Sequence, residues 1–245
     1  MDFTIEELSM NAWPALQTFV YDGWIIRMSN GYGNRANSIN PIYPSKITLG
    51  KKLAYCDELF TRRNLLTTYK ITSCEEHRII DQKLRKLHYR TINETSIQVC
   101  KIKDTFRRSK GIIVSDDFSE EWIQSVIEFN KIEEKYAPTF RKILSNIAVK
   151  KIVVYKEIEG NIAGCGYGAI ERDFVGVFDI VVKEEFRGRG YGREIVETIL
   201  AEAAKLGVTK SYLQVMLNNP VALRLYDKLG YREKYRYWYR KKPAD

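Results

Sequence analysis

The segment RGRGYGR, residues 187–193, places three glycines and three arginines in seven positions. The apolar stretch FVGVFDIVV leads into it and the amphipathic REIVETILAEAAKL follows. A strand that enters a helix through so flexible a turn, then the strand-like SYLQVML, the helical PVALRLYDKLG and the strand-like YREKYRYWYR, requires a parallel crossover. Upstream, KKIVVYKEIEGNIAGCGYGAIERDFVGVFDIVV supplies three β-rich pieces, the first turn falling at Glu159-Gly160-Asn161. The expected fold class is therefore α/β, of the α+β kind, with one mixed sheet.

The glycines also bear on chemistry. Without a Cβ, a backbone amide can approach a ligand closely and adopt unusual φ and ψ. The first amides of a helix have no intrahelical acceptor, and the helix dipole is positive there. Three glycines at such a start make a nest of N–H donors suited to phosphate or diphosphate, with Arg187, Arg189 and Arg193 adding charge. A tight turn with packing glycines would leave the same letters. The spacing fits neither GxxxxGK[ST] nor GxGxxG, so neither standard nucleotide loop is present.

Arg187-x-x-Gly190-x-Gly192 is followed at the right separation by Asn219, Ala222, Leu225, Tyr226, Lys228, Gly230 and Tyr231. The two motifs together resemble the GCN5-related N-acetyltransferases over about residues 111–240. The resemblance implies a splayed central sheet and acetyl-coenzyme A (acetyl-CoA) as acyl donor. It places the pantetheine arm against the backbone of Ile180, Val181 and Val182 and beside Asn219. It places the pyrophosphate on the loop Arg187, Gly188, Arg189, Gly190, Tyr191, Gly192 and Arg193. Tyr226 matches the acid that protonates the departing thiolate. The glutamate many relatives carry before the loop is replaced here by Phe178. Asp179, Glu171 or a water chain are the alternatives for the base, and strict alternation turns Asp179 away from the face of Phe178. The acceptor pocket implied by the family lies around Trp122, Tyr136 and Phe140, whose helical spacing equally fits core packing.

The first half opens with the helical TIEELSMNA. The runs LQTFVY and WIIRMSN flank Asp22-Gly23, a strong hairpin signal. A helical ITLGKKLAYCDELFTRR, a strand-like NLLTTYKIT, a helical EEHRIIDQKLRKLHY and a strand-like TSIQVCKIK follow. LRKLHY and LYDKLGY sit at nearly the same offset from Gly50 and Gly192, which suggests an internal duplication. YDGWIIRMSNGYGNRANSINPIY looks like the front of a bacterial subset with a degenerate acetyltransferase-like half. The expected domains are 1–105, degenerate, and 111–245, catalytic. The first copy lacks the arginine and the glycine cluster, so it can keep the shape without the anion site. The polar run RMSNGYGNRANS fits either a wall of the acceptor pocket or a capped set of turns.

Composition narrows the partners. A net charge of +9 favours an anionic partner, although the basic stretches 101–110 and 232–242 also fit solvated faces. Two histidines and four scattered cysteines give no basis for a zinc site or a Ser-His-Asp triad, so no metal is expected. No run of about 18 apolar residues occurs, and the acidic start is not a secretory signal. The expectation is a cytoplasmic N-acetyltransferase, monomer or homodimer, that uses acetyl-CoA and a small amine or peptide acceptor, without membrane or nucleic acid. The competing readings are a non-catalytic acyl-CoA-binding module and a tandem-fold aminoacyl transferase using aminoacyl-tRNA.

Overall fold

The computed structural model describes residues 3–243. The chain divides into two compact units. One holds the residues up to Ser96, Met216–Asn218 and those from Tyr235 on; the other holds Ile97–Val215 and Asn219–Lys234.

The first unit starts with helix α1 (Thr4–Ala12), then β1 (Gln17–Tyr21) and β2 (Trp24–Met28). Asp22 and Gly23 both take positive φ, 43° and 80°, as a two-residue hairpin turn requires. Strand β3 (Ser38–Pro41) pairs antiparallel with β2, helix α2 (Leu49–Thr61) follows, and β4 (Thr68–Thr72) lies parallel to β3 at Ile39↔Tyr69. Helix α3 (Glu75–Lys86) leads to β5 (Arg90–Lys101). The last strand of the chain, β11 (Arg232–Lys241), pairs antiparallel with β4 from Thr72↔Tyr237 to Thr68↔Lys241. Trp24, Ile26, Ile39, Phe60, Tyr69, Ile71 and Leu84 form the core. Beside it the buried carboxylate of Glu6 meets Lys70 Nζ at 2.6 Å and accepts from the Tyr235 hydroxyl at 2.8 Å.

The polar run of residues 27–38 is a set of capped turns. Asn37 Oδ1 accepts the amides of Ser29 (2.7 Å) and Gly31 (3.0 Å), and its Nδ2 donates to the carbonyls of Tyr32 (2.7 Å) and Gly33 (3.0 Å). Arg27 is buried and donates to the carbonyls of Arg35, Met10 and Trp13. Desolvation pushes its guanidinium down to about 10.

The second unit contains β6 (Ile112–Ser115), α4 (Glu120–Phe129), α5 (Ala137–Ser145) and the antiparallel meander β7 (Lys150–Ile158), β8 (Asn161–Glu171) and β9 (Phe174–Val182). Helix α6 (Tyr191–Lys205), strand β10 (Lys210–Met216) and helix α7 (Pro220–Lys228) complete it. Its neighbouring strands run β10-β9-β8-β7-β6, with only β10 and β9 parallel. Alternation within GCGYG of β8 has a physical purpose. A Cβ at Gly164, Gly166 or Gly168 would come within 3.2 Å or less of Ile195 or Ile199, so these glycines let α6 lie against bare strand. The intervening Tyr167 points into an aromatic cluster, stacked on Phe178 (5.4 Å) and edge-on to Phe118 (5.2 Å) and Trp122 (6.2 Å). Trp122 and Phe140 are fully buried, and the Trp122 indole N–H donates to the Val154 carbonyl. Both rings are part of the packed core.

Both units share one order of elements: three meander strands, a helix, a strand parallel to the third, and a second helix. The second helices end alike. Residues 88 and 230 take positive φ, 62° and 92°, while Tyr89 N bonds Leu84 O and Tyr231 N bonds Tyr226 O, each at 3.0 Å. This is a six-to-one helix stop in both, and it puts Leu84 where the second unit has Tyr226.

Candidate active site

Strands β9 and β10 are fastened at one end. Asp173, in the β8–β9 turn, accepts from Thr209 N (2.8 Å) and Thr209 Oγ1 (2.7 Å), and Ser211 Oγ donates to Val175 O (2.9 Å). Their paired register covers only Lys210–Leu213 against Phe174–Val177, while β9 runs on to Val182 and β10 to Met216. Beyond Val177, β9 is paired on its β8 side, Cys165↔Val181 and Gly164↔Val182. The segment that holds Ile180, Val181 and Val182 is therefore the one past the last β10 pair.

A bulge reshapes this segment. Tyr167 pairs with Phe178 but Cys165 pairs with Val181, so Gly166 of β8 faces two residues of β9, Asp179 and Ile180. The extra residue shows at Asp179, whose φ is 48°. Strict alternation stops there, and it no longer fixes which face Asp179 takes. Asp179 is half-buried and, after desolvation, helps hold the neighbouring Cys165 thiol well above its ordinary range. Glu171 is elsewhere: it pairs with Phe174 across the hairpin turn, about 13 Å of strand from Phe178.

The glycine loop joins Val182 to α6. Gly188 and Gly190 have φ of 78° and 88°, and a Cβ on either would meet nothing within 4 Å. Their need is conformational and their surroundings are open. The Arg187 amide is spent on Glu184 O (3.2 Å), and the guanidinium Nε donates to Val182 O (3.1 Å). The amides of Gly188, Arg189, Gly190, Tyr191 and Gly192 meet no acceptor among the described residues. Arg189 stands over the Phe186 ring at 5.4 Å, and Arg193 pairs with Glu197 (2.9 Å). Five open amides at the positive end of a 15-residue helix are a donor set of the kind that attracts an anion.

Across the fold of this unit, Asn219 caps α7 by accepting the Ala222 amide at 3.1 Å, with Pro220 at the first helical position. Tyr226, in the last turn of α7, is 8% exposed and edge-on to Tyr231 at 5.8 Å. Burial alone pushes its phenol up to about 12, and its hydroxyl has no hydrogen-bond partner among the described residues. No cluster of three or more His, Cys, Asp or Glu that could hold a metal ion occurs among the described residues.

Residues 4–240 match the family described as "Probable histone acetyltransferase Rv0428c C-terminal". The chain belongs to this family and is a GCN5-related N-acetyltransferase. This N-acetyltransferase is 22% identical over 232 residues to "Uncharacterized N-acetyltransferase YobR" of Bacillus subtilis, covering 93% of each chain. It is 31% identical over 74 residues to "[Ribosomal protein bS18]-alanine N-acetyltransferase" of Escherichia coli, a match spanning 30% of this chain and half of that one. A solved "GCN5-related N-acetyltransferase from Kribbella flavida" superposes with a TM-score of 0.67 at 13% identity, covering 98% of this chain and 95% of the other. That likeness extends the fold assignment along the whole N-acetyltransferase. No described helix is long and apolar enough to cross a membrane.

Proposed function

We propose that the chain transfers acetyl from acetyl-CoA to a primary amine of a small molecule or a peptide amino terminus. The observation that carries this reading is the row of five acceptor-free amides, Gly188–Gly192, at the start of α6. When bound, acetyl-CoA supplies a thioester-activated acetyl group. The amides of the loop hold a diphosphate, and the backbone of Ile180, Val181 and Val182, past the last β10 pair, takes the amides of an extended arm. Tyr226 holds a proton at its hydroxyl for a departing thiolate. Between the two carboxylates, Asp179 stands on this segment of β9 and Glu171 does not, so Asp179 is assigned removal of the acceptor's proton, directly or through water.

Residues 111–245 are proposed as the catalytic half and 1–105 as a degenerate copy, since the first unit repeats the order of elements with Leu84 in place of Tyr226; the tail from Tyr235 on nevertheless packs with the first unit. The peptide acceptor is supported by the name of the bS18-alanine relative. The test is release of free thiol from acetyl-CoA with a panel of small amines and of peptides with free or blocked amino termini. Thiol release that depends on a free amine supports the proposal; none with any amine rejects it.

A further inference from the structure

The loop that enters α2 in the first unit is the counterpart of the glycine loop that enters α6. Counting back from Gly50 and Gly192, Lys46 and Ile47 stand where Gly188 and Arg189 stand, and the two helices begin at the matching residues Leu49 and Tyr191. The second unit leaves those amides open. In the first unit the Asp22 carboxylate fills them: Lys46 N donates to both of its oxygens at 3.0 Å and Ile47 N to Oδ2 at 2.8 Å.

A positive charge stands beside this carboxylate too. Lys52, 1% exposed, brings Nζ to 3.3 Å from Asp22 Oδ2 and bonds the Asp22 carbonyl at 2.5 Å. The ammonium also sits 4.0 Å over the Trp24 ring, so it is fixed in place. The turn that presents Asp22 is closely packed as well: a Cβ at Gly23 would fall 2.3 Å from Pro44 O. An anion, two successive amides before a helix and a buried cation are thus assembled from the chain alone.

We propose that Asp22 is a built-in substitute for the diphosphate in the first half, which leaves the chain one coenzyme A site and not two. The duplicated half keeps its loop-to-helix geometry because an internal carboxylate neutralises the donors that a ligand would otherwise take. The count of one site rests on the acetyl-CoA reading above; the role of Asp22 does not.

Two measurements test it on the full chain. Calorimetric titration of the wild type with coenzyme A should give one site per chain, and two sites would overturn the proposal. Amide hydrogen exchange at Lys46 and Ile47 should be at least tenfold faster in Asp22→Gly, which tolerates the positive φ. Adding inorganic pyrophosphate should slow it again in that variant and leave the wild type unchanged. Asp22→Asn, which also tolerates this φ, is the milder variant should the glycine variant fail to fold, and it should show the same direction. Unchanged exchange in both variants overturns the proposal. Absence of any coenzyme A binding would reject the acetyl-CoA reading, and the exchange data alone would then decide the role of Asp22.

Discussion

The Lys156 ammonium lies 3.0 Å from Glu194 Oε2 and 3.0 Å from the Lys110 carbonyl oxygen. A cation on β7, only 9% exposed, thereby ties the first turn of α6 to the turn that opens β6. It also stands 5.2 Å from the Tyr191 ring centre, and a Cβ at Gly111 would come 3.4 Å from its Nζ. Lys156→Met should cost about 1–2 kcal/mol of stability, since Glu194 is partly solvated and the pair is screened. Affinity for coenzyme A should fall roughly fivefold, in line with about 1 kcal/mol. Urea unfolding and a binding titration check both, and equal affinity would show that this tie does not fix the cradle.

Tyr226→Phe should lower kcat about 10²-fold, the scale of a lost general acid, with coenzyme A affinity nearly unchanged. Burial raises this phenol to about 12, so in the wild type it stays protonated on the alkaline side. The kcat profile should therefore show no fall attributable to it below pH 10. Steady-state kinetics on both proteins from pH 7 to 10 supply the comparison.

The glycines of the loop should differ in tolerance. Gly190→Ala places a Cβ on a residue with φ of 88°, costing about 1–2 kcal/mol and putting a methyl group where an anion would sit. Gly192 has no positive φ, and a Cβ there would meet Leu225 and Val182 at the ordinary distances of 3.7 and 3.8 Å. Calorimetry should show more than tenfold weaker coenzyme A binding for Gly190→Ala and less than threefold for Gly192→Ala, on the scale of about 1.4 kcal/mol per tenfold.

Alkaline pH should unfold the chain. Burial holds the phenols of Tyr69, Tyr226, Tyr231 and Tyr239 above their ordinary value. The folded state then keeps protons that the unfolded chain releases above about pH 10. Their contribution is intact below pH 10 and is lost as pH rises through the folded values, by up to about 1.4 kcal/mol per pH unit for each phenol. Urea midpoints at pH 8 and 11 should differ accordingly.

Most elements were legible because their signals are local. Asp22-Gly23 and Glu159-Gly160 announce their hairpins through positive φ, and Gly207 (φ 81°) stops α6 as a C-terminal glycine should. The tail YREKYRYWYR reads as a strand, but its basic residues do not simply face solvent. Arg240 makes a two-pronged pair with Asp81 at 2.8 Å, and Tyr237 and Tyr239 are buried. That pairing joins residues far apart in the chain, which no local pattern encodes. Nor does any letter mark the bulge at Asp179, since it follows from how β8 and β9 shift past one another. Asp22 was readable as a turn residue only; its service to the amides of Lys46 and Ile47 depends on the loop folding back 24 residues later. The glycines of GCGYG stand at a spacing of two, on one face of β8, but that they receive α6 shows only once the helix is in place.

That stripe of missing side chains sets the height at which the amide-bearing helix rides above its strand. A single methyl group at Gly166 would land 2.3 Å from Ile180 Cδ1, on the stretch of β9 past the last β10 pair. One missing methyl group thus makes room on two sides at once, for Ile195 of α6 at 3.2 Å and for Ile180 of β9.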